Sequence, residues 1–498
     1  MLRTQEELLP NGPIGAAEIT QLDTSQSSSD ATGDGHGEAE GGLPRPRRFW
    51  AIVAISFGTA LFVLDGTIAN VALPTIARDL GVDAGVVVNV VTVYQMVMVM
   101  GLLPFANLGD RWGLRRVYQG GQIVFLVASA LAFFAHSLTA LLLIRALQAL
   151  GAGMAMSVSS AMIRQIYPRR GLGGGLGINS VIVSSANALA PALGGFIVAR
   201  ADWRLIFVAA VPFAVISLLI GRFLPNPEGS NKPYDWRSGL WSAVSLALLI
   251  GGVEVATHGG RTAVGLGMVA LGIVSATLLV GRERTRERPV FPVDLLAKPA
   301  IGLSALAAIT GFLASAGLIV ALPFRLQQGM GYSPEEAGLL VLPFPLTMLV
   351  VAPIAGWLSD RVSPSWLGIG GMSIAAVGLC LIGFMPVDAG HVAIAWRLAV
   401  CACGFGLFFS PNARMIIGGA PVHRAAAAGG LLATSRLFGQ TLGAALVGVL
   451  LSLGLGLGPT PMLVAVGLAA VAAVCSLVRH QVTHREPKCP VSEVVSEQ

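Results

Sequence analysis

Charge is what this sequence has least of. Only 12% of its 498 residues are Asp, Glu, Lys or Arg, where a soluble domain carries about 25%. That shortfall excludes an ordinary water-soluble enzyme. Strands of strictly alternating apolar and polar residues are missing too, which argues against a membrane barrel. No GxxxxGK[ST] loop occurs, so no ATPase is encoded. The N-terminus has no basic stretch followed by an apolar core, so it does not read as a secretory signal. Cysteines are few, namely Cys380, Cys401, Cys403, Cys475 and Cys489. Four of them fall in apolar segments without metal-ligand spacing and read as small packing residues.

What is present is hydrophobic and comes in blocks. Apolar residues make up 54% of the chain and the mean hydropathy is +0.75. The blocks are about 20 residues long, enough to cross a bilayer as a helix. Fourteen are counted, at 49–73, 86–106, 117–135, 138–160, 174–197, 203–223, 237–256, 264–281, 300–323, 335–358, 365–384, 391–411, 427–450 and 461–478. The fold class is therefore all-α and polytopic in a membrane. The 62 glycines suit helices that pack through small side chains.

The loop charges fix an orientation. On the side of residue 45 fall Arg47, Arg48, Arg111, Arg115, Arg116, Arg164, Arg169, Arg170 and the Arg282–Arg288 cluster, with many more. The other side holds only Arg78, Arg200, Arg204, Arg261 and Arg325. Positive loops stay cytoplasmic, so both termini are expected there. The net charge of +6 is this bias and not a nucleic-acid footprint. Residues 1–44, with the run SQSSSDATGDGHGEAEGG, bury almost nothing and are expected to be a disordered tail in which His36 is solvated. Residues 481–498 form a second tail. The linkers 224–237 and 281–300 are too short for a soluble domain, the second having room for a short interfacial helix.

Two stretches recur. LGDRWGLRR at Leu108–Arg116 is echoed by LSDRVSPSW at Leu358–Trp366, and Arg145 opening RALQALGAG is echoed by Arg397 opening RLAVCACGFG. Two marks in the same order argue for duplicated halves. Residues 45–223 form one six-helix bundle, 300–480 the other, and 224–299 insert two helices between them.

A few polar residues interrupt the apolar blocks. Asp65 lies late in the first, where a carboxylate costs roughly 2.5–3.5 kcal/mol on insertion scales. It is either an acid that snorkels or pairs near the interface, or a proton or cation site. Arg145 cannot neutralise itself and needs an acid, a carbonyl or water. Its role is structural hydrogen bonding or proton coupling. Glu254 and His258 share a helix face four residues apart. Glu254 reads as an accessory cation or proton site or as a peripheral residue, and with no third ligand evident no metal site is suggested. In the loop after the second segment, Asp110 can accept bonds from neighbouring amides or arginines. Gly113 permits a tight turn, and Arg111, Arg115 and Arg116 provide a latch. Asp360 and Arg361 are their counterparts. In the fifth segment Pro191 frees a backbone carbonyl, while Ala186, Ala190, Gly194 and Gly195 admit a close partner helix. Arg397, Asn412 and Arg436 are candidates for stabilising the bundle interior, and Asn89, Gln95 and Asn179 for cavity polars. Trp50, Phe57, Phe62, Tyr94, Phe105 and Phe207 are candidates for a greasy cavity wall.

With these residues in view, the chain resembles the major facilitator superfamily over about 49–480. More closely, it is similar to the fourteen-helix drug:proton antiporter branch, which includes bacterial quaternary-ammonium and methyl-viologen exporters. The family's first-helix signature is matched by Leu64, Asp65, Thr67, Asn70, Ala72, Leu73 and Pro74. Its loop signature is matched by Asp110, Arg111, Gly113, Arg115 and Arg116, with Ala106 where a glycine leads. Its fourth-helix arginine is matched by Arg145, followed by Gln148, Gly151 and Gly153. Its antiporter motif is matched by Pro191, Gly194 and Gly195, with Ala186 and Ala190 replacing glycines.

The resemblance implies export of lipophilic, cationic drugs or antiseptics by alternating access, with protons entering as substrate leaves. It makes Asp65 the coupling residue, holding a cation when deprotonated and releasing it when protonated. It puts the Asp110 loop and its Asp360 counterpart at the inner gate. It also implies a bacterial cytoplasmic membrane, a monomeric transport unit among lipids and no cofactor. Two alternatives stand beside it, an exporter of one metabolite such as an antibiotic or siderophore, and a non-transporting sensor or scaffold.

Overall fold

Away from water, every backbone N–H and C=O must find its partner within its own segment, and a helix does this for each residue in turn. A computed structural model of the chain describes residues 43–167, 172–225, 236–257, 262–284, 293–421 and 425–485. The N-terminal tail with His36, His258 and the end of the C-terminal tail with Cys489 lie outside these described residues. No strand occurs among them.

Thirteen described helices are long and apolar enough to cross a membrane. The helix Leu172–Arg200, 29 residues with no charge before Arg200, completes the expected set. Numbered along the chain, the first half holds α1 (Arg45–Leu80), α2 (Asn89–Trp112), α3 (Leu114–Leu131), α4 (Leu138–Ile166), α5 (Leu172–Arg200) and α6 (Leu205–Phe223). The inserted pair is α7 (Trp236–Thr257) and α8 (Thr262–Glu283). The second half holds α9 (Pro299–Phe324), α10 (Pro334–Leu358), α11 (Pro364–Gly383), α12 (His391–Gly418), α13 (Ala425–Ser452) and α14 (Thr460–Arg485). Leu143, Leu219, Leu278 and Phe384 point outward, an apolar exterior suited to lipid.

Several helices outrun their apolar blocks. α1 continues through Pro74 to Leu80 and stops at Gly81, whose φ of 62° is left-handed. α2 runs on to Trp112, and α12 passes through Pro411 to Gly418. The apolar block measures the hydrocarbon, whereas the hydrogen-bond ladder continues into the polar headgroup zone. Elsewhere proline does interrupt. α10 is broken between Val341 and Pro343, and α6 between Val208 and Val211 ahead of Pro212. α9 ends in a π-helical turn, Arg325–Gly329, that aims Arg325 at the end of α11. There the guanidinium donates to the carbonyls of Ile382, Gly383 and Met385. It satisfies acceptors that a helix end leaves open.

The two halves repeat one packing scheme. α1 packs on α5, α4 and α6, as α9 packs on α13, α12 and α14. α4 packs on α2 and α3, as α12 packs on α10 and α11. The close approaches repeat as well. A Cβ on Gly151 would lie 2.5 Å from the Gly121 carbonyl oxygen, and one on Gly404 would lie 2.6 Å from that of Gly371. Between the halves, α5 meets α10 and α2 meets α13. The closest of these approaches lie on the face opposite Arg45. Gly195 sits against Pro334 and Gly338, and Gly85 against Gly448 and Ser452. The Arg200–Glu335 ion pair (2.9 Å) and the Gln327 side-chain amide on the Val71 carbonyl (2.9 Å) add to the same face.

The inserted pair forms a tight hairpin. Gly252, Gly265 and Gly272 let α7 and α8 touch backbone to backbone, and Trp241, Ser245 and Ser275 bond across the seam. α7 then leans on α2 of one half and α13 of the other. The short helix Val293–Leu296 in the following linker tucks Leu295 against Ile301, Ala305 and Ile416.

Gly265→Ala places a methyl against the Ala256 backbone, whereas Gly267 faces open space. Overpacking of this kind costs about 1–3 kcal/mol. Gly265→Ala is expected to lower the unfolding temperature of the purified protein, and Gly267→Ala to leave it unchanged. Equal midpoints would refute the close hairpin.

Candidate functional site

The most expensive groups in the bilayer have been brought together. Asp65 on α1 and Arg145 on α4 are both fully buried, with Asp65 Oδ2 2.6 Å from Arg145 Nη1. The same nitrogen donates to Gln148 Oε1 (2.9 Å), and Nε donates to the Val90 carbonyl on α2 (3.2 Å). Gln148 in turn donates to Ser129 Oγ on α3 (2.9 Å). The guanidinium lies 4.1 Å from the Tyr94 ring centroid and 5.0 Å from that of Phe207, two faces that stabilise a cation. Asp65 Oδ1 and Arg145 Nη2 remain buried without partners. One ion pair thus ties together α1, α2, α3, α4 and α6.

In front of this pair is a cavity of about 400 Å³ between the halves. Its first-half wall includes Phe62, Gly66, Thr67, Asn70, Tyr94, Gln95, Asn187 and Pro191. Its second-half wall includes Phe312, Ser315, Phe344, Phe409, Arg436 and Gln440. Thr67 Oγ1 donates to Asn187 Oδ1 (2.9 Å), and Asn70 Nδ2 to the Thr67 carbonyl (3.2 Å). The Phe312 and Phe409 rings stack at 4.0 Å, 9° from parallel. Asp65 itself is not on the wall. Its neighbour Gly66 is, so the carboxylate lies just behind the surface that a ligand would touch.

The helix-end loops are not among the residues that line the cavity. In the second copy, Asp360 pairs with Arg414 on α12, which also donates to Ser359 Oγ (3.0 Å). Arg361 turns instead onto the Trp357 ring, 3.8 Å from its centroid. In the first copy, Gly113 takes a φ of 95° between α2 and α3, a conformation that side chains disfavour. Arg115 bonds Gln119 on its own helix, and Arg111 and Arg116 are exposed. The Asp110 side chain lies outside the described positions. In the antiporter motif two adjacent glycines face different partners. Gly194 packs on Ile68 of α1, and Gly195 on α10 of the other half.

Of the expected site residues, the structure joins Asp65 to Arg145 directly and puts Thr67, Asn70 and Pro191 on the cavity wall next to them. Pro74 lies within α1, beyond the wall residues. Glu254 belongs to the inserted helix α7, outside both six-helix sets, and its side chain lies outside the described positions. Arg397, the counterpart of Arg145 in the repeat, donates to Ala393 one turn earlier on its own helix. Asn412 accepts from Arg479 (2.7 Å) and donates to the Ser304 carbonyl (2.9 Å). Of the six aromatics expected from the sequence, Phe62 and Tyr94 reach the wall and the other four do not. Trp50 stacks on Phe223 and Phe57 packs on Phe213. Sequence reading assigned Gln95 to the cavity but missed Asn187, Ser315 and Gln440. It placed Arg436 in the bundle interior, when it faces the cavity. A helical count from Pro191 back to Asn187, one turn on the same face, was the available signal for Asn187.

Removing one partner of a buried ion pair leaves an uncompensated charge, at about 3–5 kcal/mol. Aspartate can escape by taking a proton and arginine cannot. Asp65→Leu is therefore expected to destabilise more than Arg145→Met, and Asp65→Leu/Arg145→Met to regain most of the loss. Thermal unfolding of the three purified variants checks the order, and a double variant no better than Asp65→Leu would refute the pairing.

Residues 55–245 and 304–494 each match the model of the Major Facilitator Superfamily. The interval between the two matches holds α8 and the end of α7. The chain is 41% identical over 438 residues to the "Uncharacterized transporter YebQ" of Escherichia coli, covering 87% of this chain and 96% of that protein. It is 28% identical over 420 residues to the methyl viologen resistance protein SmvA of Salmonella typhimurium, covering 82% and 83%. It is 29% identical over 402 residues to the riboflavin transporter RibZ of Clostridioides difficile, covering 80% and 87%. Among solved structures, an inward-facing bacterial homologue of the lysosomal transporter Spinster aligns with a TM-score of 0.63 at 17% identity, over 88% of this chain and 98% of that one. Two matched six-helix halves around a central cavity, and a relative this similar over nearly its whole length, lead to one assignment: the chain is a transporter, not an enzyme, and belongs to the Major Facilitator Superfamily.

Proposed function

We propose that the protein is a proton-coupled exporter of small, flat amphipathic molecules, working by alternating access in the bacterial cytoplasmic membrane with both termini in the cytoplasm. The observation that carries this reading is the fully buried Asp65–Arg145 pair one residue behind the wall of a cavity shared by both halves. The orientation is supported by the arginine-rich loops on the side of Arg45. The cargo size is supported by the cavity volume and its aromatic walls, and the direction by the drug-resistance proteins among the relatives.

In this mechanism a proton reaching Asp65 cancels its charge and frees the Arg145 guanidinium, which Gln148 and the Val90 carbonyl continue to hold. α1 and α4 lose their strongest tie, and the cavity wall at Gly66, Thr67 and Asn70 moves with α1. Proton and substrate thus act on one helix from opposite sides without sharing an atom. The halves rock about the cavity, parting at Gly195–Gly338 and Gly85–Gly448 when the outer side opens. The Asp360–Arg414 latch, with its Asp110, Arg111, Gly113, Arg115 and Arg116 counterpart, governs the inner side. Glu254 remains an accessory candidate on α7.

A second reading, in which the substrates are lipophilic cations, is favoured by the methyl viologen resistance relative. A third, a single-metabolite exporter, is favoured by the riboflavin transporter relative.

The test is proton counterflow. Protein reconstituted in vesicles under a proton gradient is given ethidium, methyl viologen, rhodamine 123 or fluorescein, and proton release is recorded. Release triggered by at least one compound, and abolished in Asp65→Asn, is the expected outcome. Because the proton and the substrate oppose one another, substrate affinity is expected to fall as pH falls, and Asp65→Asn to flatten that dependence. Proton movement that persists unchanged in Asp65→Asn would sink the assignment of Asp65.

A further inference from the structure

Arg436 is the one charged side chain among the described residues that line the cavity. It projects from α13, and its Nε is buried with no hydrogen-bond partner. No carboxylate among the described residues pairs with it. Asp65, the nearest candidate by chemistry, is engaged by Arg145 behind the opposite wall. A guanidinium in a largely apolar chamber without a counter-charge is a costly arrangement. Other buried arginines among the described residues are held by hydrogen bonds, Arg479 by the oxygens of Ser304, Ser365 and Asn412. Arg145 has Asp65, and Arg325 has three carbonyls.

The surroundings fit a ligand that supplies the missing charge. Gln440 lies one turn along the same helix face and also lines the cavity. The stacked Phe312 and Phe409 line the same cavity. On the facing wall, Asn70 Oδ1 and Gln95 Oε1 are buried acceptors without donors. The second half thus presents a cationic side chain with the aromatic Phe312 and Phe409, and the first half presents acceptors. A planar guanidinium matches a carboxylate or phenolate oxygen better than any neutral group.

We infer that the cavity binds an aromatic compound carrying an acidic group, a carboxylate or phenolate, with Arg436 as its anchor and with O–H or N–H groups of the same compound meeting Asn70 and Gln95. This rests on the exporter reading above and names its substrate class. It places anionic aromatics ahead of the lipophilic cations.

Two dyes of one three-ring skeleton and opposite charge test it, fluorescein as the anion and rhodamine 123 as the cation. Their binding to the full-length protein in lipid nanodiscs is followed by fluorescence anisotropy in mildly alkaline buffer, where fluorescein is ionised. The unmodified protein is expected to bind fluorescein more tightly than rhodamine 123. Arg436→Gln is expected to weaken fluorescein at least ~10-fold, about 1.4 kcal/mol, and to leave rhodamine 123 unchanged or tighter. Arg436→Lys, which keeps the charge and loses the fork, is expected to fall between. Unfolding temperature and monodispersity are checked for each variant, and if Arg436→Gln does not fold, the dye preference of the unmodified protein decides alone. Tighter rhodamine 123 binding, no fluorescein binding, or fluorescein binding indifferent to a folded Arg436→Gln overturns the inference. Proton release by rhodamine 123 with no fluorescein binding overturns it while the exporter reading stands. Fluorescein binding that depends on Arg436, with no proton release by any compound, upholds the site and overturns the exporter.

Discussion

Burying an aspartate and an arginine together inside a bilayer is tolerable because each charge answers the other, and the arginine has no means of shedding its own. Neither Asp65 nor Arg145 has access to water, and the guanidinium has drawn in Gln148, the Val90 carbonyl and the faces of Tyr94 and Phe207. Much of the first half is arranged around this contact, since five of its six helices contribute to the shell. In the proposed mechanism the pair is the switch, because one proton removes one of the two charges. In a medium of low dielectric that is a large perturbation, delivered one residue from the cavity wall.

The proposed rocking requires a scaffold whose parts are stiff within and separable between. The repeated packing of α1 to α6 and α9 to α14 gives two such parts, each closed by backbone-level approaches such as Gly121–Gly151 and Gly371–Gly404. The contacts between the parts are of a different kind. They too involve glycine, but the closest of them lie on one face and are backed by a partly exposed ion pair, Arg200–Glu335. Exposed pairs contribute little to stability, so this seal rests on close packing and not on strong bonds. The α7–α8 hairpin leans on both halves at α2 and α13 without entering either core.

The cavity's charge is set apart from that of the switch. Its wall is aromatic and weakly polar, with Arg436 its one charged member among the described residues, while the carboxylate that the sequence made prominent is turned away behind Gly66. A direct contest of substrate and proton for one carboxylate would need Asp65 on the wall. In the proposed mechanism the separation leaves the position of α1 to couple them.

Much of this was legible from residues alone, for a definite physical reason. A helix in lipid must be apolar over its whole length, so the number and order of helices are written in the hydropathy and in the placement of loop arginines. The cost of an intramembrane charge likewise marked Asp65 and Arg145, and the recurrence of LGDRWGLRR as LSDRVSPSW marked the repeat. Helix ends were less legible, because apolarity stops at the headgroups while the hydrogen-bond ladder of α1 runs through Pro74 to Leu80. What only the tertiary structure decided is which way each polar side chain faces. Arg397 looked like a second Arg145 and bonds its own helix, and Arg436 looked like a bundle stabiliser and faces the cavity. A membrane helix is apolar on every side, so its sequence carries little amphipathic stripe to show which face is inward. That face is chosen by the neighbours the helix packs against, tens to hundreds of residues away.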